Sequence, residues 1–485
     1  MGMIKNGRLL CPSTVRKEKN MKKANGKVSD IKIAYVGGGS RAWARKLMND
    51  LTLEDDISGK VALYDIDMEA ARDNAVIGNK ISAHENAKSE WKYEVAETLE
   101  EALTGADFVV LSILPNSFRE MDAEVHMPEE IGIYQSVGDT AGFGGYMRAM
   151  RTAPIYIGFA EAIKKYAPNA WVINYTNPMT LCTRVLYEYF PEIKMFGCCH
   201  EVFGAQMVLA KAYAEVTGNP EPDRKDIKTA VTGINHFTWV TEASYNGVDL
   251  FPIFETVANK YMEEGFYEGD DHANPDSVGY CGNVVKFELY KRYGLIAAAG
   301  DRHLAEFLNG QWYLKSAAAT KAKRFNLTSV DWRKANQKRL IENSKKLVAG
   351  EEELIVKNSG EEGVRQIKAI LGLADLVTNV NLPNKGQMKG YPLGAVVETN
   401  ALFSENSVEP IEAEPLPVEV NALIIKHVYH HEAFIKALKT KDIELVKNII
   451  ADDPQCGVAS YEEVSRIFDK IYEHNRESLD YYWKN

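Results

Sequence analysis

The run Ile31-Lys-Ile-Ala-Tyr-Val36 ends directly in Gly37-Gly38-Gly39-Ser40, and a helical stretch follows over about 41–53. Strand, glycine turn and helix in immediate succession open a parallel βαβ unit, which few architectures accept. Within it, Gly37-x-Gly39-x-x-Ala42 matches the G-x-G-x-x-G/A fingerprint. The first glycine permits the tight turn, the second lets the backbone approach a pyrophosphate, and Ala42 keeps helix and strand close. The unpaired N–H groups of the helix start then face the phosphates. A second strand at 60–64 closes on Asp65, and the interval 65 − 42 = 23 places an acid where a ribose 2′-hydroxyl needs an acceptor. An acid there, rather than a basic residue, favours NAD over NADP. Gly37, Gly39, Ser40 and Asp65 are therefore the expected dinucleotide contacts. The competing reading is an ordinary sheet-to-helix turn beside a solvated Asp.

The alternation continues along the chain. A helix at 68–85 carries Ala71, Ala75, Ile77 and Ile81 as an apolar stripe. Strands near 92–95, 106–112, 171–174 and 194–197 alternate with helices at 99–103, 149–166 and 178–189. This predicts a doubly wound parallel sheet of the Rossmann type. After about residue 225 the pattern changes. Strands at 229–234 and 237–245 read as a hairpin-like region ending in the turn signal Asn246-Gly247. Helical tracts follow at 276–293, 331–347, 360–373 and 417–479, with 380–415 as loop and strand. The expected organisation is α/β: an unpacked extension over 1–29, an NAD-binding Rossmann-like domain over 30–200, and a mixed α+β, mostly helical domain over 201–485 for catalysis, substrate and oligomer contacts.

Charge and cysteine usage narrow the function class. The net charge is 57 − 68 = −11. An acidic chain without a dense basic stripe argues against a nucleic-acid platform and against an anionic membrane surface. No run approaches the roughly 18 apolar residues of a membrane span, and the first thirty residues lack the apolar stretch of a signal peptide. Cys11, Cys182, Cys198, Cys199, Cys281 and Cys456 form no CxxC pair and no disulfide framework. A cytoplasmic protein in a reducing compartment is expected.

Two segments carry metal-type chemistry. Gly197-Cys198-Cys199-His200-Glu201-Val202 follows a strand, and in open α/β sheets ligands bind beyond the carboxyl ends of strands. Ile234-Asn235-His236-Phe237 comes later, with 236 − 199 = 37 positions between thiol and imidazole. Such a pair can hold a borderline divalent cation, yet a structural zinc site wants four ligands. The pair reads as an open site completed by substrate oxygens, or else as a buried thiol beside a core histidine. His427, His430 and His431 share one helical tract and read as a solvated face rather than a metal cluster.

The glycine turn, Asn174-Tyr175-Thr176-Asn177-Pro178, Cys199-His200-Glu201-Val202 and Gly233-Ile234-Asn235-His236-Phe237 occur in the order and spacing of glycoside hydrolase family 4. Lys286-Phe-Glu-Leu-Tyr-Lys-Arg-Tyr-Gly294 and Leu382-Pro-Asn-Lys-Gly386 extend the resemblance toward the C-terminus. The family comprises NAD- and divalent-metal-dependent α-glycosidases, an exception to two-carboxylate glycoside hydrolysis. The resemblance implies a reaction in which sugar C3 is oxidised by the nicotinamide, C2 is deprotonated, the aglycone is eliminated, water adds and the hydride returns. It implies Cys199 and His236 as metal ligands, with manganese the expected ion. His200 is implied as general acid, Asn177 as a contact to substrate hydroxyls, Arg119 and Arg302 as substrate arginines, and Asp139 as the acid that tunes the base. The base falls to Tyr280, with His272 and Asp276 as alternatives in the same segment.

The Cys-His-Glu-Val run is most similar to members acting on α-galacturonides, whose C6 carboxylate suits the guanidinium fork of Arg302 or Arg119. A uronide sugar is thus the expected substrate, and dimers or tetramers the implied assembly. A neutral-sugar α-glucosidase or α-galactosidase is the alternative within the family. A simple NAD-dependent hydroxy-acid dehydrogenase is the alternative outside it.

Overall fold

Ile33, Ala34, Tyr35 and Val36 are all buried, and a strand apolar on both faces has to lie inside a sheet covered by helices on both sides. The computed structural model describes residues 21–115 and 117–484. In it β1 (Lys22–Ala24) folds back on β2 (Lys27–Val36). β2 is flanked in parallel by β3 (Ile57–Tyr64), which carries β4 (Trp91–Val95). On its other side lie β5 (Phe108–Leu111), β6 (Trp171–Asn174) and β7 (Lys194–Gly197), all parallel. The order β4-β3-β2-β5-β6-β7 is that of a dinucleotide-binding doubly wound sheet, with its reversal at β2/β5.

The sheet does not stop at β7. The second half of the chain supplies β8 (Lys228–Ile234), β9 (Phe237–Tyr245), β10 (Val248–Asp249), β11 (Ile296–Ala297), β12 (Leu376–Pro383), β13 (Val396–Ser404) and β14 (Ser407–Pro410). β12 pairs antiparallel with β7, β13 with β12, and β8 with β13, so both halves share one 14-stranded sheet. Helices Gly142–Tyr166, Met179–Tyr189, Val418–Thr440, Ile443–Ala451 and Tyr461–His474 pack one face around Met147, Tyr156, Leu186, Phe434 and Ile467. Helices Trp43–Thr52 and Gly363–Ile370 cover the other face.

Several sequence expectations change. Of the extension at 1–29, residues 1–20 lie outside the described residues, whereas 22–24 and 27–29 are strand joined by a two-residue turn. Val28 is buried and pairs with Ile57, so β2 begins before Ile31 because a core side chain anchors it. The helix expected at 149–166 starts at Gly142. Its first turn passes so close to the preceding loop that a Cβ on Gly144 would sit 2.4 Å from the Gly138 carbonyl oxygen. Glycine is what this approach requires, and it also hides the helical periodicity. The helix expected at 276–293 is confined to Val284–Tyr293, leaving Tyr280 in a loop. Finally, His427, His430 and His431 are buried rather than solvated, because the helix Val418–Thr440 packs on more than one side. No helix among the described residues is long and apolar enough to cross a membrane.

One buried ion pair ties the helix Gly142–Tyr166 to the helix Phe118–His126 and to the end of Tyr461–His474. Arg151 donates from Nε and Nη2 to Glu124 Oε1 and Oε2 at 2.8 and 2.6 Å, and Asn475 Nδ2 donates to the same carboxylate at 2.9 Å. Breaking a buried pair strands a charge, at a cost of about 3–5 kcal/mol. Arg151→Met is expected to lower unfolding free energy by that order in urea titration. Adding Glu124→Gln should recover part of the loss, because the stranded charge is then gone.

Candidate functional site

Two backbone registers bring the cysteine segment and the histidine turn together. Asn381 on β12 pairs with Gly197 at the end of β7, and Glu398 on β13 pairs with Gly233 near the end of β8. The Glu398 carboxylate accepts from Asn379 Nδ2 at 2.7 Å and from Asn235 Nδ2 at 3.3 Å. Asn379 Nδ2 also reaches the Cys199 carbonyl at 3.3 Å. Asn235 and His236 are the two residues turning β8 into β9, and His236 has φ of 63°. A non-glycine residue there costs roughly 1–2 kcal/mol, a strain characteristic of functional positions.

The tautomer of His236 follows from its partners. Its Nδ1 lies 3.0 Å from Thr140 Oγ1, and Thr140 Oγ1 donates to Asp139 Oδ1 at 2.7 Å. Burial pushes the Asp139 carboxyl up, but Arg148, His303, Arg333 and His236 outweigh it and hold it well below the usual carboxylate range. An ionised carboxylate cannot donate, so the hydroxyl's one proton goes to Asp139. His236 Nδ1 must then carry the hydrogen, and Nε2 keeps the free lone pair. Burial pushes His236 down to about 3, with His303 adding to the effect and Glu201 and Asp139 opposing it. Neutral imidazole is the form that binds a metal.

His303 completes this cluster. Its ring lies 3.8 Å from that of His236, and its Nε2 is 3.4 Å from Glu201 Oε1. Donor atoms of Asp139, His236 and His303 all lie within 4.8 Å of one another. Burial raises Glu201, but His303, His236, His200 and the Gly300 N–H outweigh it and leave the carboxyl below its ordinary range. Burial pushes the Cys199 thiol up, and the Glu398 and Glu201 carboxylates add to this, so the thiolate form needs a cation beside it.

The glycine turn fits the fingerprint reading. Gly37 has φ of 95°, and a Cβ there would lie 2.0 Å from the Ser112 carbonyl oxygen. Gly39 N donates to Asp65 Oδ2 at 2.8 Å, and Ser40 Oγ accepts from Trp43 N at 3.2 Å. Asp65 therefore reaches the glycine turn from the end of the second strand of the βαβ unit.

Other expected residues are more dispersed. His200 is 44% exposed, stacks on Trp43 at 5.4 Å and keeps Nδ1 3.8 Å from Glu361. The Asn177 carbonyl accepts from Arg148 Nε at 2.9 Å, while its Oδ1 is buried with no hydrogen-bond partner among the described residues. Arg302 Nη1 donates to the Val278 carbonyl at 2.7 Å and to Thr328 Oγ1 at 3.0 Å. Arg119 stands half-exposed on the helix Phe118–His126, paired with Glu120 at 3.0 Å. Tyr280 is buried against Tyr267, with hydroxyls 3.1 Å apart, and meets Arg324. His272 lies in the short helix Asp270–Ala273 of the same region, and Asp276 is exposed.

Thr140, His303, Arg148, Arg333 and Glu201 were not singled out by sequence. Thr140 and His303 were detectable only as immediate neighbours of Asp139 and Arg302. Arg148 and Arg333 carry no local signal, since their roles depend on contacts across the fold.

Comparison with known proteins adds the following. Residues 32–215 match the model of the family 4 glycosyl hydrolases, and residues 231–456 match that of the family's C-terminal domain. An alpha-galacturonidase of Thermoanaerobacterium saccharolyticum is 52% identical over 460 residues, covering 95% of this chain and 99% of its own. The crystal structure of Bacillus subtilis lplD, 47% identical, superposes with a TM-score of 0.86 over 91% of this chain and 100% of that one. A 6-phospho-alpha-glucosidase from gut microorganisms, solved with NAD and Mn2+, superposes with a TM-score of 0.76 over 93% of this chain and 99% of that one. At 18% identity it shows a shared fold alone.

Two predictions follow from the geometry. Thr140→Val removes the group that fixes the His236 tautomer, and divalent-cation affinity should fall about 10–100-fold by isothermal titration. Glu306 accepts from the N–H groups of Val137 and Gly138 at 2.7 and 2.8 Å, and burial pushes its carboxyl up to about 8. Between its ordinary value near 4.5 and about 8, the native chain holds a proton the unfolded chain lacks. Stability should therefore decline as pH rises through that window. Glu306→Gln keeps an acceptor for both N–H groups, and its urea midpoint should lose that decline.

Proposed function

The chain belongs to family 4 of the glycosyl hydrolases, and from that premise we propose that it is an NAD- and divalent-metal-dependent α-galacturonidase. The observation that carries this reading is the nearly full-length match, more than half identical, to the Thermoanaerobacterium alpha-galacturonidase. The site chemistry is compatible with both cofactors. A turn at Gly37 and Gly39 with no room for side chains, reached by the Asp65 carboxylate, fits a dinucleotide. A buried thiol, a neutral imidazole with Nε2 free and the unpartnered Asn177 Oδ1 fit a divalent ion with substrate oxygens in its open positions.

We assign the dinucleotide to Gly37, Gly39, Ser40 and Asp65, and a manganese-type ion to Cys199 and His236. When bound, these groups supply a reversible hydride acceptor and a Lewis acid. The chain's own residues do the rest. Thr140 and Asp139 hold His236 in one tautomer. Asn177 Oδ1 accepts a hydrogen bond from a sugar hydroxyl, ending its isolation. Arg302, braced through Nη1, offers its remaining N–H groups to the C6 carboxylate. His200, half-exposed against Trp43, delivers a proton to the leaving oxygen. Tyr280 sits two residues from the Val278 carbonyl that holds Arg302, and its Oη is assigned to take the C2 proton.

The test is steady-state release of galacturonate from p-nitrophenyl α-galacturonide. Turnover should need both NAD and Mn2+, stop on chelation, produce no net NADH and leave deuterium from D2O at C2 of the product. Cys199→Ser should lower it at least about 100-fold, the upper range for lost metal-site support. Faster turnover of the α-galactoside or α-glucoside would move the assignment to neutral sugars. Net NADH formation with a hydroxy acid would make it a dehydrogenase.

A further inference from the structure

A second cluster of metal-type donors lies outside the site just described, where the helix Val418–Thr440 meets the segment 452–456. His427 is 1% exposed, His430 7% and Asp453 1%, and their donor atoms all lie within 4.8 Å of one another. His427 Nε2 is 3.0 Å from the Phe307 carbonyl oxygen, and His430 Nε2 is 2.9 Å from Asp452 Oδ2. Both partners only accept, so each Nε2 carries a hydrogen, and in the neutral ring each Nδ1 is a bare lone pair. His427 Nδ1 faces Asp453 Oδ2 at 3.9 Å, and His430 Nδ1 is buried with no hydrogen-bond partner among the described residues. Three groups able to donate to a cation thus converge in the interior.

Such an arrangement is unfavourable unless a cation sits among the lone pairs. Two imidazole nitrogens and one carboxylate oxygen are the donor set of a borderline divalent ion. Both histidines also have the outer hydrogen bond that orients a metal-binding ring: Phe307 carbonyl for one, Asp452 carboxylate for the other. The neighbouring Gln455, whose N–H donates to Asp453 Oδ1, keeps both side-chain amide atoms buried and unpartnered and can offer a further oxygen.

We propose that His427, His430 and Asp453, with Gln455 Oε1 as the fourth donor, form a second, structural site for a zinc-type divalent ion. Its position suggests what it steadies. Asp453 Oδ2 accepts from Gly142 N at 3.4 Å, two residues after Thr140, and Phe307 adjoins Glu306, the residue holding Val137 and Gly138. An ion here would clamp the C-terminal helices to the loop that presents Asp139 and Thr140.

The test counts metal and needs no activity. The full chain is stripped with chelator, loaded with Zn2+, desalted and analysed by atomic emission. Wild type should retain two equivalents and Cys199→Ser, which lacks a ligand of the first site, one. Cys199→Ser combined with His430→Gln should retain none. Zn2+ should raise the thermal midpoint of Cys199→Ser and leave that of the combined variant unmoved. Should His430→Gln fail to fold, Asp453→Asn takes its place, and the count on Cys199→Ser alone still decides. No Zn2+ retained by folded Cys199→Ser overturns the proposal, as does an equivalent that survives His430→Gln or Asp453→Asn.

Discussion

Everything at the site depends on the insertion of β12 and β13 between the last parallel strand and the hairpin of the second half. The cysteine segment ends β7 and the histidine turn joins β8 to β9, and 37 residues of chain separate them. Two antiparallel ladders fix their spacing, through Asn381 opposite Gly197 and Glu398 opposite Gly233. A one-residue slip in either ladder would turn every side chain to the opposite face. Asn379, Asn235 and the buried Glu398 lock the register with hydrogen bonds between strands. The site is thus built on sheet backbone, and sheet backbone holds side chains more precisely than free loops do.

The electrostatics are arranged for a cation before one arrives. Burial keeps His236 and His303 neutral, while Asp139 is held as an anion by Arg148 and Arg333. Neutral nitrogens and ionised oxygens in one pocket are the donor types a divalent ion takes. The Thr140 hydroxyl links the two kinds of group, since its single proton must go to the carboxylate and the imidazole must supply its own. Protonation state and ring orientation are therefore set by one side chain that itself bears no charge.

The loop 137–142 is held from several directions. Glu306 grips the N–H groups of Val137 and Gly138, Arg333 donates to the Val137 carbonyl, and Asp453 accepts from Gly142. Most of these partners come from the second half of the chain. Both halves are therefore needed to place Asp139 and Thr140, although these residues precede β6 and belong by sequence to the dinucleotide-binding half.

Local sequence was sufficient wherever a structural feature is built from consecutive residues. The glycine turn, Asp65, the Cys-His-Glu run and the Asn-His turn were legible because strand, turn and helix chemistry acts over a few positions. The doubly wound parallel sheet was legible for the same reason, since alternating strands and helices leave little topological choice. Tertiary structure alone decided which groups meet. His303 packed against His236, Arg333 beside Asp139, and the burial of His427, His430 and His431 are contacts between segments tens to hundreds of residues apart. A helical pattern shows that three histidines share a region of one helix. Whether water or another helix covers them is settled only when the rest of the chain packs, because burial is a property of the whole fold.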